Sequence, residues 1–217
     1  PLPDGLTLHE SMALGTAGFT AALAIIRLEE NGQDPANGAM IVTGATGGVG
    51  SIAIEMLASK GYDVVALTGK SDQHDYLREL GASDFVDRGS LEMGSRPLEK
   101  ALWGGAVDNV GGEVLGWLTR TVKPWGSIAS IGNVGGIKLE TTVLPMILRG
   151  VSLLGINSIE MSNELRNRAW SRLATDLKPA HLDMISGRTI DFDMLPEAFS
   201  PYIDGRVTGR TVVRISD

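Results

Sequence analysis

The chain has 217 residues, of which 43% are hydrophobic, with a net charge of −7 and a pI near 5.0. This length supports one well-packed core and is too short for two full-sized domains. The acidic balance, without any basic run, argues against a nucleic-acid or anionic membrane surface. The absence of cysteine excludes disulfides and thiolate-bound zinc, and the three histidines are too scattered to predict a metal site. With no secretory signal or 18-residue apolar span recognised, we expect a cytoplasmic enzyme.

Strands and helices alternate through the first two thirds of the chain. Apolar spacing predicts helices at 18–30, 51–60, 72–80, about 97–102 and 113–122, and strands at 39–43, 63–67, 84–86, 106–110, 127–131 and 151–156. A turn is predicted at Lys123-Pro124-Trp125-Gly126. The alternation implies an α/β fold, a doubly wound parallel Rossmann sheet with helices on both faces and a ligand crevice at the strand C-termini.

The last part of the chain departs from this alternation. A helix is predicted at 161–177, a second at 194–202, a turn at Asp204-Gly205 and a final strand at 210–215. We therefore divide the chain into a Rossmann domain with its leading helix at 1–160 and a C-terminal segment at 161–217.

A glycine-rich turn joins the first predicted strand to the helix that follows it. The run is Thr43-Gly44-Ala45-Thr46-Gly47-Gly48-Val49-Gly50. A side chain at Gly47 would hold a phosphate away from the backbone N–H groups, and one at Gly50 would push the helix off the strand. The alternative is a strand-to-helix turn without a ligand. The next strand completes a βαβ unit of about 30 residues, which favours binding of a dinucleotide pyrophosphate at the helix N-terminus.

The end of the second predicted strand indicates which nicotinamide cofactor is used. An NAD site places a carboxylate there, about 20 residues beyond the glycines, to bind the ribose 2′-hydroxyl. This chain instead has Thr68, Gly69, Lys70 and Ser71. A cation with hydroxyls suits a 2′-phosphate, which a carboxylate would repel, so NADPH is favoured over NADH. Alternatively, Ser71 caps the next helix while Lys70 points into water, although Ser71 could serve both roles.

Two other families are disfavoured by the residues. The Gly69-Lys70-Ser71 run lacks the earlier glycine of a P-loop, because Val64 occupies that position. Short-chain dehydrogenases use Tyr-x-x-x-Lys, whereas the three tyrosines here are followed four positions later by Ala66, Leu80 and Arg206.

Several motifs together resemble the zinc-independent quinone-oxidoreductase branch of the medium-chain dehydrogenase/reductases, and within it the acrylyl-CoA reductase group. The motifs are Leu14-Gly15-Thr16-Ala17-Gly18-Phe19-Thr20-Ala21, Val42 to Gly50, Thr68-Gly69-Lys70, Leu80-Gly81-Ala82, Val107-Asp108-Asn109-Val110-Gly111-Gly112, Ile131-Gly132-Asn133 and Gly205-Arg206-Val207-Thr208-Gly209-Arg210. The likeness runs from about Leu6 to Ile215. Members of that family begin with a GroES-like barrel domain that is absent here, so we expect the C-terminal segment to rejoin such a domain.

The resemblance implies roles for individual residues. It implies that the pyrophosphate is held by Thr46, Gly47, Gly48 and Val49, the 2′-phosphate by Thr68, Gly69 and Lys70, the adenosine end by Arg88, and the nicotinamide by Gly132, Asn133 and Asn157. Lys70 replaces the arginine of the acrylyl-CoA reductases, which keeps the charge and loses the bidentate fork. Arg88 could equally be a surface arginine, and both asparagines could satisfy turn backbone. Asp108 is expected to stabilise a turn, and Thr16 either lies near the nicotinamide or is an N-cap.

The implied reaction is hydride transfer from NADPH to the β-carbon of an activated alkene, in an enoyl thioester or a quinone or enone, without metal. We identify no catalytic proton donor. Because much of the substrate wall belongs to the absent domain, this portion alone is expected to bind cofactor and turn over poorly. The resemblance also suggests a homodimer built partly through the sheet edge, with no nucleic-acid or membrane partner. The alternative function is a non-catalytic NADPH sensor or an oligomerisation module.

Overall fold

The computed structural model describes residues 2–215, which build an α/β fold around a parallel sheet. Its strands are β1 (Met40–Thr43), β2 (Val64–Thr68), β3 (Ala82–Asp87), β4 (Gly105–Asp108), β5 (Ser127–Ser130) and β6 (Ser152–Gly155). They form one six-stranded sheet in the order β3-β2-β1-β4-β5-β6. This order defines the doubly wound Rossmann sheet, which confirms the predicted fold class. Each predicted strand is present, with bounds shifted by one to two residues.

Both faces of the sheet are covered by helices. The helices are α1 (Leu8–Glu30), α2 (Gly48–Ser59), α3 (His74–Glu79), α4 (Gly112–Thr121), α5 (Leu144–Arg149), α6 (Asn163–Leu173), α7 (Leu182–Ile185) and α8 (Leu195–Ile203). Within β1, Met40 and Val42 pack in the core that contains α1 and α2, whereas Ile41 packs in the core that contains α4. Successive side chains of a strand point to opposite faces, so a strand buried on both faces is apolar throughout.

Helix α1 begins ten residues before its predicted start at 18. Thr7 caps it through a capping box with Glu10, and Gly15 interrupts it with φ 45° and ψ −147°. By length and composition alone α1 could cross a membrane, and 72% of its most apolar stretch is buried inside the protein. The expectation that no 18-residue apolar span occurs was therefore wrong. The apolar length of α1 reflects its place in the core, between the sheet and α6.

The predicted helix at 97–102 is not formed. The backbone N–H of Glu99 donates to the Arg120 carbonyl over 3.0 Å, and that of Leu102 donates to the Thr121 carbonyl over 2.7 Å. These backbone N–H groups therefore bind carbonyls in the last turn of α4 and are not used within a helix of their own. The terminal carbonyls of a helix have no partner within it, so they can accept these bonds. The short helices α5 and α7, of six and four residues, were not predicted from the apolar spacing.

The C-terminal part of the chain packs against the main core. Ala169 and Leu173 of α6 and Ile185 of α7 are buried in the same cluster as Val42 of the sheet. Two further strands, β7 (Arg188–Asp191) and β8 (Thr211–Arg214), pair in parallel as a separate two-stranded sheet. The division at residue 160 into two domains stays a prediction.

Candidate functional site

A cavity of about 590 Å³ opens at the C-terminal ends of the strands. It is lined by Gly44, Ala45, Thr46, Gly47, Gly48, Val49, Gly50, Leu67, Thr68, Gly69, Lys70, Arg88, Asn109, Val110, Ile131, Gly132, Val134, Tyr202, Gly205, Val207 and Gly209. The chain runs outward from β1 to β3 and then restarts at β4 on the other side of β1. The cavity therefore lies at the topological switch point, where doubly wound sheets bind their ligands.

The glycine turn forms the floor of this cavity. Gly47 is the N-cap of α2 and supplies no side-chain cap, so the first N–H groups of the helix have no intrahelical partner. A Cβ at Gly50 would collide with the Gly44 carbonyl oxygen and lie 2.9 Å from the Ala45 Cα atom. Unpaired N–H groups, a close helix approach and the positive end of the helix dipole together fit a bound pyrophosphate.

A buried polar cluster fixes the crevice between β1 and β4. The Thr43 hydroxyl donates to Asp108 over 2.7 Å, and the Asn109 side-chain amide donates to the Thr43 carbonyl over 2.8 Å. The Asp108 carboxylate also accepts the backbone N–H groups of Val110 at 3.2 Å and Gly111 at 2.9 Å. Burial raises the pKa of Asp108, while these hydrogen bonds act in the opposite direction. Asp108 thus stabilises the turn after β4, as expected.

The far end of the cavity carries two cations. Lys70 and Arg88 line it, and none of its described lining residues is Asp or Glu. The Thr68 hydroxyl accepts the Lys70 backbone N–H over 3.0 Å, and the Lys70 ammonium donates to the Val207 carbonyl over 2.9 Å. Burial lowers the pKa of Lys70, partly offset by Asp72. The Lys70 side chain is half-buried, and its ammonium lies against the return segment at the cavity.

The segment Gly205 to Arg210, which we name the return segment, closes the cavity from above. The Gly209 N–H donates to the Thr46 carbonyl over 2.8 Å, which lays the segment beside the glycine turn. Val207 and Gly209 line the cavity together with Tyr202 of α8. Sequence reasoning gave these residues no site role. The glycine spacing of the segment was the available signal, but nothing local indicated which surface it covers.

The predicted site residues divide into two groups. Those that line the cavity are Thr46, Gly47, Gly48, Val49, Thr68, Gly69, Lys70, Arg88 and Gly132, whereas Ser71, Asn133 and Asn157 do not. The Asn157 carboxamide oxygen accepts the backbone N–H groups of Ile159 and Glu160, so it serves its own turn. Asn133 is exposed, and Ser71 is exposed and makes no cap to α3.

Thr16 lies outside this cavity. It follows the Gly15 kink within α1, so it is not an N-cap, and its side chain is exposed. Together with Gly15, Met12 and Trp170, it lines a second cavity of about 1040 Å³ between α1 and α6. Among residues 2–215, no group of three or more His, Asp or Glu side chains is placed to hold a metal ion.

Comparisons with known proteins agree with this architecture. The "Putative quinone oxidoreductase YhfP" of Bacillus subtilis is 47% identical over 99% of this chain and 66% of its own length. A crystal structure of that protein with NAD bound has a TM-score of 0.95 at 46% identity, again covering 99% of this chain and 66% of that one. Acrylyl-CoA reductase AcuI of Ruegeria pomeroyi is 45% identical over 100% of this chain and 66% of AcuI.

A further solved structure contains NADPH in place of NAD. The crystal structure of Escherichia coli K-12 YhdH with bound NADPH has a TM-score of 0.94 at 41% identity, covering 99% of this chain and 66% of that chain. The fold and site define a dinucleotide-binding α/β protein, and the family model for zinc-binding dehydrogenases matches residues 48–175. The chain belongs to this family, and it spans 66% of the length of the curated relatives named above.

Proposed function

We propose that this chain is the NADPH-binding portion of an oxidoreductase. One observation carries the proposal: a single cavity combines a glycine turn at a helix N-terminus with Lys70 and Arg88, and has no carboxylate among its described lining residues. The turn suits a pyrophosphate, and the two cations suit the additional phosphate of NADPH. The crystal structures of YhdH with NADPH and of YhfP with NAD support binding of a nicotinamide dinucleotide. Because these two structures contain different cofactors, the proposed preference for NADPH over NADH rests on Lys70 and Arg88.

Each part of the cavity has a separate role in this proposal. Thr46, Gly47, Gly48 and Val49 hold the pyrophosphate, with the N–H groups of Gly48 and Val49 available because the first turn of α2 leaves them without intrahelical acceptors. The Lys70 ammonium, with Thr68 and Gly69 beside it, binds the 2′-phosphate as a point charge. Arg88 contacts the adenosine end. Gly132 lies across the cavity after β5, where the nicotinamide half would extend.

We propose that the whole protein reduces an activated C=C bond of an enoyl thioester, quinone or enone. The names of AcuI and YhfP support this reaction class. The cofactor would supply hydride to the β-carbon when bound. The residues of this chain orient the dinucleotide and exclude water from its phosphate end. We assign no proton donor to the substrate among the described residues, and the catalytic residues stay unassigned.

We also propose a homodimer formed at the edge strand β6. Strand β6 has a sheet neighbour on one side only, and an open strand edge presents unpaired N–H and C=O groups. Val143, Ile147 and Leu148, which precede β6 on and beside α5, are each more than 60% exposed, which adds apolar surface near that edge. Analytical ultracentrifugation should give a dimer mass, and a monomer at micromolar concentration contradicts this part of the proposal.

Fluorescence titration with NADPH and NADH tests the cofactor assignment. We expect Lys70→Met to weaken NADPH binding at least about tenfold, equivalent to ~1.4 kcal/mol, and to leave NADH within about twofold. Lys100→Met, at an exposed lysine outside the cavity, is the matched control and should change neither affinity. Equal losses for both nucleotides would refute the 2′-phosphate assignment. Binding without hydride transfer in the longer protein would support the sensor alternative.

A further inference from the structure

The Lys70 ammonium is held by a part of the chain far away in sequence. It donates to the Val207 carbonyl over 2.9 Å, and Val207 lines the same cavity. An ammonium carries three N–H donors, so one hydrogen bond to a carbonyl leaves two for a further acceptor. Lysine has a long, flexible stem, and fixing its head before a ligand arrives removes ordering entropy from the binding step. The carbonyl is therefore placed to orient this cation toward a phosphate.

The Val207 carbonyl is itself fixed by hydrogen bonds on its C-terminal side. The Gly209 N–H donates to Thr46 over 2.8 Å, and the Arg210 N–H donates to the Ile185 carbonyl over 2.7 Å. The Arg210 side chain then reaches α1, where its Nε donates to the Ala13 carbonyl over 3.1 Å. These bonds hold the return segment against the glycine turn. The orienting carbonyl is consequently linked to the phosphate-binding turn through the hydrogen bond from Gly209 to Thr46.

We propose that the return segment determines selectivity for the 2′-phosphate by positioning the Lys70 ammonium through the Val207 carbonyl. The inference rests on the proposed NADPH function and adds a positioning role for Val207 and Gly209. With NADPH bound, Lys70 bridges the end of β2 to the return segment by contacting the 2′-phosphate and the Val207 carbonyl together. NADH lacks that phosphate and leaves the bridge incomplete. Selectivity is therefore set by two regions more than a hundred residues apart.

Displacing the return segment without changing Lys70 provides the first test. Gly209 has φ +67°, and a Cβ there would collide with the Ile185 carbonyl oxygen, so Gly209→Ala must shift the segment. We expect the ratio of the NADH Kd to the NADPH Kd to fall at least about fivefold. A merely structural role would weaken both nucleotides and leave the ratio unchanged. Gly61→Ala is the matched control, with φ +83° and open space around the added Cβ.

A double variant tests whether the return segment changes the cofactor preference through Lys70. If the return segment acts through Lys70, Gly209→Ala added to Lys70→Met should cause no further fall in the ratio. An additional fall would mean that the segment acts on the 2′-phosphate by another path, and this result would overturn the proposal.

Hydrogen exchange of the unsubstituted protein supplies a test that does not depend on a variant folding. At saturation, NADPH should slow amide exchange in residues 205–210 more than NADH does, and Lys70→Met should abolish the difference. Equal protection by the two nucleotides, or faster exchange with NADPH, overturns the inference. Failure of the unsubstituted protein to prefer NADPH overturns the proposed cofactor instead. The two failures are therefore distinguishable.

Discussion

The glycine turn and the return segment form adjoining walls of one cavity and reach their shapes by different means. Both use glycines at positive φ, with Gly44 at 58° and Gly209 at 67°. The glycine turn lies between β1 and α2, which are buried and adjacent in sequence. The return segment is mostly exposed or half-buried, and its hydrogen-bond partners belong to distant parts of the chain. One wall is thus set by local sequence and the other by tertiary contacts.

This difference predicts how each wall responds to substitution. A side chain added at Gly50 meets the backbone of the same βα unit, at Gly44 and Ala45, which cannot move without separating α2 from β1. A change in the return segment breaks a few hydrogen bonds near the surface. We therefore expect large losses of stability in the first wall, and smaller losses, expressed mainly in ligand affinity, in the second.

Gly50→Val tests the local wall and should have the largest effect. Its Cβ would collide with the Gly44 carbonyl, so the free energy of unfolding should fall by about 3 kcal/mol and NADPH binding should be lost. Urea denaturation and fluorescence titration measure the two quantities. Gly89→Ala, where an added Cβ makes only ordinary van der Waals contact with the Asp87 side chain, should stay within about 0.5 kcal/mol of the unsubstituted protein. Unchanged NADPH affinity in Gly50→Val would show that the close helix approach is not required.

Arg210→Ala tests the tertiary wall and should have an intermediate effect. The change removes the hydrogen bond to the buried Ala13 carbonyl, so we expect a loss of about 1–2 kcal/mol and weaker NADPH binding. Arg206→Ala is the control within the same segment, because Arg206 is exposed and pairs with the exposed Asp204. It should change stability by less than about 0.5 kcal/mol in the same urea experiment. Similar losses of unfolding free energy in Arg210→Ala and Arg206→Ala would contradict a stabilising role for the hydrogen bond from Arg210 to Ala13.

Glu10→Gln should have the smallest effect, at a tertiary contact remote from the cavity. Hydrogen bonds from Lys178 and from the Thr7 backbone lower the pKa of Glu10 from 4.5 to about 2. A folded-state pKa below the unfolded value stabilises the protein above pH 4.5, and this contribution is lost as pH falls toward 2. Because Glu10 and Lys178 are solvent-accessible, we expect Glu10→Gln to lower the free energy of unfolding by about 0.5–1 kcal/mol at pH 7.

Unfolding free energies measured against pH check this contribution. The gap between the unsubstituted protein and Glu10→Gln should close near pH 2. Glu92→Gln, at an exposed loop carboxylate, should follow the unsubstituted protein throughout. A gap that stays constant across this pH range would mean that Glu10 acts by packing and not by charge.

The predictions that failed have different physical causes. Backbone N–H groups of the segment 97–102 donate to carbonyls of α4. The segment therefore does not form the helix that its local pattern predicts, because its hydrogen-bond partners are distant in sequence. The nicotinamide role of Asn157 stays a prediction; its carboxamide oxygen accepts the backbone N–H groups of Ile159 and Glu160. The start of α1 was missed because Gly15 interrupts its periodicity. The segment at 97–102 was decided by a distant partner, whereas the start of α1 was obscured by a glycine inside the helix itself.

The sequence by itself determined the alternation of strands and helices, the doubly wound sheet and the glycine turn, because apolar period and glycine sterics act over a few neighbouring residues. It also marked Lys70 as the cation after β2. Only the tertiary structure decided that the return segment covers this turn and that Val207 holds Lys70. Those contacts join residues more than a hundred positions apart, and their energy exists only after the core has brought the segments together.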